Sequence, residues 1–351
     1  MTQKNKFRLV ILGLIFISPM FLGEGGCDGC ETKTSIVDPS PGRSGAVLIY
    51  KTGKSSNWIT MDFPEYRGFS DFEIGPNNVF MMPTFEKFVG KSTNYGANWI
   101  FPVVVDTSAV NTEFVCSYYN DIQGYYITTS SGNIFISGDD GLNWTKIAYN
   151  NNFGTCSGIE FVQKYLTGIT GIGLFNSGIF RTTDGGYNWN NVYTESSFND
   201  LAYFYISGAN AKFAALRGYT GGIHYSSNDG LNWAPVSTHI NNINAIECFG
   251  EFGIIAAGDW IAYSPDRGAT WQNVTPASYV ELIRTDPIVD LYASYPGDEV
   301  TAVSGQGRIY YNVFNNPQEW LYYDGIPNGN IITVSKIHHN GYDGTFVMGK
   351  Y

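Results

Sequence analysis

The stretch SGDDGLNW at 137–144 sets two carboxylates side by side, Asp139 and Asp140. Adjacent acids suggest general acid–base work, and glycoside hydrolysis in particular uses two carboxylates across a cleft, roughly 5–9.5 Å apart. Other candidates stand near the starts of apolar runs: Asp121, Glu160, Asp200, Glu247, Asp286 and Asp290. Each is isolated, and each reads first as a solvated loop or channel carboxylate. The histidines are His224, His239, His338 and His339. The last two are adjacent, so a strand would point them to opposite faces, away from a shared metal. No HExxH, GxSxG, phosphate-loop or calcium-loop pattern occurs. The sequence therefore assigns no catalytic residue, no metal site and no cofactor.

The pair Asp139–Asp140 loses its catalytic meaning once the surrounding octapeptide is found again. STNYGANW at 92–99, TTDGGYNW at 182–189, SSNDGLNW at 226–233 and SPDRGATW at 264–271 fit the same pattern, S/T-x-D/N-x-G-x-x-W. Their fixed positions are Ser92, Asn94, Gly96 and Trp99; Ser137, Asp139, Gly141 and Trp144; Thr182, Asp184, Gly186 and Trp189; Ser226, Asn228, Gly230 and Trp233; Ser264, Asp266, Gly268 and Trp271. Two eroded copies, KTGKSSNW and VFNNPQEW, keep Trp58 and Trp320. Asn94 and Asn228 replace the acid in two copies, and an amide cannot move a proton but can close a turn. Glycine two positions later can take a positive φ, and the indole can bury its area while offering one N–H to a carbonyl.

Apolar strands such as GNIFISG precede each box and others such as WTKIAY follow it, so each box reads as a hairpin turn. The tryptophans are spaced 41, 45, 45, 44, 38 and 49 residues apart. A period near 44 with four short strands is that of a β-propeller blade. Residues 43–351 hold about seven such periods. The N-terminal piece supplies a third and fourth strand (GAVLIYKT, WITMDF), and the C-terminal piece supplies a first and second (IITVSKIHH, GTFVMGKY). The pattern predicts an all-β, seven-bladed propeller closed by pairing both ends in one blade, which removes exposed sheet edges.

These octapeptides resemble the Asp-box, or BNR repeat, of sialidases and their relatives. Families sharing the motif include sialidases, two-propeller xyloglucan hydrolases, sortilin-type receptors and photosystem II stability and assembly factors. In layout the chain is most similar to the last group. A sialidase would carry an arginine triad, a Tyr–Glu nucleophile pair, an aspartate acid and an F/Y-R-I-P stretch. No R-I-P occurs here, and only seven arginines follow residue 26. Members of the photosystem group present a basic patch, whereas this chain carries net charge -11.

The boxes join third to fourth strands and project from one face. The opposite face carries the second-to-third turns and the connections between blades. There lies Trp260, the single tryptophan outside a box, with Arg217 and Tyr219 in LRGYTGGI, Phe175 in GLFNSGI and Arg308 in GQGRIYY. Aromatic rings with arginines are enriched in protein interfaces, so these five form the candidate binding face.

The N-terminus has a separate character. Lys4, Lys6 and Arg8 precede the apolar run Leu9–Leu22, the layout of a signal peptide over 1–26. Cys27 is a lipidation candidate, and 27–42 reads as a linker before a propeller over 43–351. Cys27 and Cys30 form a lone CxxC, too little for a zinc site. Cys116, Cys156 and Cys248 read as small buried residues. With a pI near 4.8 and no cluster of Lys and Arg, nucleic acid is excluded as a partner. The expectation is an exported, non-catalytic scaffold of a bacterial envelope, lipid-anchored or secreted, that binds a protein. The alternative is a sialidase-like hydrolase or a glycan-binding module, and a membrane would be touched only through a lipid anchor.

Overall fold

A computed structural model describes residues 46–51, 59–66, 69–75, 79–84, 88–94, 96–101, 114–120, 124–149, 153–164, 168–204, 210–218, 222–236, 242–249, 253–294, 299–312, 316, 319–323, 333–339 and 345–350. Asp121, Tyr219, His239, Trp58, Cys27 and Cys30 lie outside them, as do the side chains of Cys116, His338 and His339.

Strands β1 (Ala46–Lys51) and β2 (Ile59–Phe63) open the chain. A short sheet follows, β3 (Glu73–Ile74), β4 (Phe80–Pro83) and β5 (Val89–Ser92). Blade 1 is β6 (Phe114–Asn120), β7 (Gly124–Thr129), β8 (Asn133–Ser137) and β9 (Thr145–Tyr149). Blade 2 is β10 (Cys156–Lys164), β11 (Gly168–Phe175), β12 (Gly178–Thr182) and β13 (Asn190–Tyr193). Blade 3 is β14 (Phe198–Phe204), β15 (Lys212–Arg217), β16 (Ile223–Ser226) and β17 (Ala234–Val236). Blade 4 is β18 (Ile243–Phe249), β19 (Gly253–Gly258), β20 (Ile261–Ser264) and β21 (Gln272–Asn273). After the helix α1 (Val280–Thr285) comes blade 5, β22 (Ile288–Ser294), β23 (Glu299–Ser304), β24 (Ile309–Asn312) and β25 (Trp320–Tyr323). Strands β26 (Thr333–His339) and β27 (Thr345–Lys350) join β1 and β2 in the closing blade, ordered β2-β1-β27-β26. There β1 runs antiparallel to β27, from Ala46 opposite Lys350 to Lys51 opposite Thr345.

The fold is an all-β propeller, but the expectation of seven blades is corrected to a six-blade arrangement. Six sheets have four strands, and residues 73–100 form only the three-stranded sheet β3–β5. The first strands of the six blades pack in unbroken succession, β6 on β10, β10 on β14, β14 on β18, β18 on β22 and β22 on β26. Among the described residues the fourth position of the odd sheet holds one bridge, Lys91 with Ile100, whose N–H groups donate to each other's carbonyls at 2.8 and 2.9 Å. The next residue, Phe101, leaves the ladder for an aromatic cluster. Its ring stacks on Tyr66 at 4.3 Å and meets Phe63 edge-on at 5.6 Å.

The core lies between blades, because each sheet buries both faces. Val162, Ile172 and Leu174 of blade 2 pack with Leu201, Phe213 and Trp233 of blade 3. Ala202, Ala214 and Leu216 of blade 3 meet Ile246, Ile254 and Ala256 of blade 4 in the same way.

The repeated turns connect third to fourth strands. In the turn at 137–144, the Ser137 hydroxyl donates to Asp139 Oδ1 and accepts from the Gly141 N–H, both at 2.8 Å. Asp139 also accepts the Asn143 N–H at 2.8 Å and its amide Nδ2 at 2.7 Å. Asp140 (φ 57°) and Gly141 (φ 78°) are both left-handed, and the serine reaches back over them. The hydroxyl bonds and the backbone N–H bond to the acid position recur in the other four copies, with Asn94 and Asn228 in the acceptor role, and the side-chain bond recurs at Asp184 from Asn188 and at Asp266 from the Thr270 hydroxyl. Trp99, Trp189, Trp233 and Trp271 donate their indole N–H to the carbonyl of their own box glycine at 2.7–3.1 Å. Trp144 departs from this, its buried Nε1 having no partner. In the eroded copy Trp320 is 4% exposed, and Asn312 Nδ2 closes the loop onto the carbonyls of Asn316 and Glu319.

The hydrogen bonds from Asn143 and its neighbours lower the Asp139 pKa from 3.8 to about 2. A carboxylate with a depressed folded-state pKa stabilises the fold above its ordinary value, and that contribution is lost as pH falls toward the folded value. Asp139→Asn keeps an acceptor in the turn, so urea midpoints of wild type and variant are expected to converge between pH 4 and pH 2. A gap that stays constant with pH would show that the charge has no part. Deletion of β27 exposes the edges of β1 and β26, and size exclusion is expected to show aggregate in place of the wild-type elution peak.

Candidate functional site

On the face opposite the boxes, one polar contact recurs in successive blades. It ties the connection entering a blade to that blade's second-to-third turn. In blade 3 the Arg217 guanidinium pairs with Glu195 at 2.5 Å and donates through Nε to the Ser196 carbonyl at 2.9 Å. In blade 4 the Asn242 amide donates to Asp259 at 2.7 Å, beside Trp260. Gly258 allows this, since a Cβ there would stand 2.1 Å from the Asn242 carbonyl. In blade 5 the 3%-exposed Asp286 receives Arg308 and the Ser304 hydroxyl, each at 2.5 Å, and the Gln306 N–H at 2.9 Å.

These contacts revise the five residues of the candidate face. Arg217 and Arg308 are on it, two blades apart, and each is held by its own carboxylate. Trp260 stands between them on the blade 4 turn, half-buried, part of its ring on the core between blades 3 and 4. Phe175 is not on the face: at 2% exposure it stacks on Phe153 at 4.6 Å and meets Phe180 and Trp189 edge-on. Its glycine-rich neighbourhood suggested a turn, but the residue ends strand β11. Tyr219 lies outside the described residues.

The channel carboxylates are spread along the first strands. Asp200 accepts the Leu201 N–H at 2.9 Å and, across the blade boundary, the Ile246 N–H at 2.7 Å. Glu247 accepts the Cys248 N–H at 2.9 Å. Glu160 and Asp290 are buried on β10 and β22. Among the described residues no three of His, Cys, Asp and Glu are placed to hold a metal ion. Arg217, Arg284 and Arg308 pair separately with Glu195, Glu281 and Asp286, so these three do not converge on one substrate.

One Tyr–Glu pair does form: Tyr193 Oη donates to Glu195 Oε1 at 3.0 Å. Burial, then Glu195, raises the Tyr193 pKa, the opposite of what an activated phenolate needs. His224, 2% exposed, fills the space between the Tyr193 and Phe198 rings at 5.4 and 5.1 Å. Cys156 is buried, its thiol donating to the Gly158 carbonyl at 3.4 Å, and Cys248 is half-buried.

Sequence reading missed the contacts between connection and turn. Their partners lie 17 to 22 residues apart, and the types differ from blade to blade: Glu with Arg, Asn with Asp, Asp with Arg.

No protein-family model and no curated protein matches this chain. The solved structures that it resembles are β-propellers. YCF48 bound to D1 peptide has a TM-score of 0.62 at 18% identity, over 81% of this chain and 90% of that one. YCF48 from Cyanidioschyzon merolae scores 0.60 at 16% identity, over 80% and 92%. Virginiamycin B lyase from Staphylococcus aureus scores 0.62 at 10% identity, over 87% and 99%. Identities this low show a shared fold, and function must be argued from the residues.

The two ion pairs differ in burial, and their removal is expected to differ accordingly. Arg308→Ala leaves Asp286 buried without its cation and should cost about 3 kcal/mol. Arg217→Ala breaks an exposed pair and should cost under about 1 kcal/mol. Urea unfolding of both variants measures this, and equal losses would refute the ranking.

Proposed function

We propose that the chain is an exported, non-catalytic propeller of the Asp-box (BNR) type that presents the face opposite its boxes to a protein partner. In this reading residues 1–26 are a signal peptide, Cys27 a lipidation site, 27–42 a linker and 43–351 the propeller. The reading rests on one observation above all. The turns carrying Arg217, Trp260 and Arg308 are each clasped to the neighbouring connection, so three adjacent blades hold a preset surface with an aromatic ring at its middle. A rigid face with a central aromatic loses little entropy on docking. A propeller of similar fold has been solved with a peptide bound.

A second reading, a glycan hydrolase, has the Tyr193–Glu195 pair behind it. The raised Tyr193 pKa argues against it, because a phenol held protonated by burial is a weak nucleophile. Turnover of a fluorogenic glycan panel, lost in Tyr193→Phe, would favour this reading over the first.

The test of the first reading is affinity capture from envelope extracts with the whole chain as bait, followed by titration of the captured protein. Trp260→Ala should bind about thirtyfold more weakly, as expected for losing a central aromatic worth about 2 kcal/mol. Its unfolding midpoint should stay within a few degrees of wild type. Unchanged binding by a folded Trp260→Ala would reject this face.

A further inference from the structure

The first strand of each blade begins where a connection enters from the blade before, so its opening residues stand at the mouth of the central channel on the candidate face. In blades 2, 3 and 4 that start carries a bulge, with the extra residue at Ser157, Asn199 and Asn244. A bulge frees its residue from the ladder. Each of these three side chains donates to the next blade. The Ser157 hydroxyl of blade 2 donates to the Phe198 carbonyl of blade 3. Asn199 Nδ2 of blade 3 donates to the Asn244 carbonyl of blade 4 at 3.3 Å, and Asn244 Nδ2 donates to the Ile288 carbonyl of blade 5 at 2.8 Å.

Those bonds decide what the two asparagines offer a ligand. Only the amide nitrogen can donate to a carbonyl, so each bond fixes which end of its amide faces the ring. The Oδ1 atoms of Asn199 and Asn244 accept no hydrogen bond among the described residues, and Asn199 is exposed while Asn244 is half-buried. Two oriented acceptors therefore sit on touching residues of neighbouring blades, and Trp260 stands on the turn of the second of these blades. Acceptors in a row call for donors in a row. An extended chain presents N–H groups along one edge at every second residue, about 6.7 Å apart. A glycan's hydroxyls donate too, but they rotate and carry lone pairs of their own, so fixed acceptors favour the backbone edge.

We propose, resting on the reading of this face as protein-binding, that the partner docks an extended segment along the channel mouth over blades 3 and 4. Alternate backbone N–H groups of that segment donate to Asn199 Oδ1 and Asn244 Oδ1, and one of its side chains meets Trp260. Bonds to a main chain give affinity with little regard to sequence, and the side-chain contact supplies the preference. Segments of unlike sequence that share one apolar residue are therefore the expected ligands. Because the bonds to the next blade already hold both amides in place, little side-chain entropy remains to be lost on docking.

A display library of random linear peptides panned on the whole chain supplies the probes, and each selected peptide is resynthesised with one backbone N-methyl group at a time. Methylation should weaken binding about fivefold, the effect of one hydrogen bond, at two positions separated by a single residue, and less between them. Asn199→Leu should remove the penalty at one of these positions and Asn244→Leu at the other, with unfolding midpoints checked for both. An even penalty along the peptide, penalties that persist in both variants, or a library that yields no binder overturns the proposal. Binding to a glycan array that is lost in Asn199→Leu overturns it as well. If Asn244→Leu does not fold, the exposed Asn199 and the wild-type methylation pattern decide. Capture of a partner that depends on Trp260 but on neither asparagine rejects the segment and leaves the face standing.

Discussion

The structure depends on a hydroxyl bonding in two directions at once. In each full box a Ser or Thr donates to the Asp or Asn two residues on and accepts the glycine N–H four residues on. Those bonds hold two successive residues in the left-handed region, at Asp140–Gly141, Gly185–Gly186, Asp229–Gly230 and Arg267–Gly268. With the turn set, the fourth strand must return beside the third, and the indole folds back over its glycine. A turn closed by its own side chains needs nothing from neighbouring blades. Blades can therefore differ in every other residue and still repeat the same hairpin.

That independence explains what the sequence made legible. Box, hairpin and blade period are encoded within eight residues or by regular spacing, and all could be read from one chain. Blade number could not. Trp99 completes a full box, yet among the described residues the ladder after it ends at Ile100, and Phe101 packs on Tyr66 and Phe63, aromatic residues more than thirty positions upstream. Phe175 was misplaced for a similar reason. Glycines 171, 173 and 178 around it suggest a turn, but Gly171 and Gly173 make room for the rings of Phe161 and Phe175 inside a strand. The contacts at Glu195, Asn242 and Asp286, and the bulge residues Ser157, Asn199 and Asn244, left no signal because connection lengths vary and the residue types change.

The two ends of each blade thus rest on different physics. At the box end, the turn's own bonds are local and repeat, and a neighbouring blade adds to them where Tyr126 Oη donates to the Gly185 carbonyl and Arg181 Nε to the Asp229 carbonyl. At the opposite end, bonds run between segments or between blades, and each blade solves the problem with its own side chains. Variation at that end is compatible with the fold so long as each connection remains tied to its turn. A surface free to vary while held rigid suits recognition, and the candidate face lies there for that reason.

The same accounting changes the meaning of the acidic character. A net charge of -11 first invites a search for catalytic acids or for a cationic partner. Yet the carboxylates of Asp139, Asp184 and Asp266 accept backbone N–H groups in turns, and Asp200 and Glu247 accept them along the first strands. At Asp184 and Asp266 burial pushes the pKa upward, and hydrogen bonds from the turn outweigh it and leave the pKa lowered. A carboxylate whose oxygens are already taken up by its turn's N–H groups is poorly suited to exchanging protons with a substrate. In these positions the acids serve as acceptors for a backbone that bends sharply and often, which is why an asparagine can stand in for them at 94 and 228.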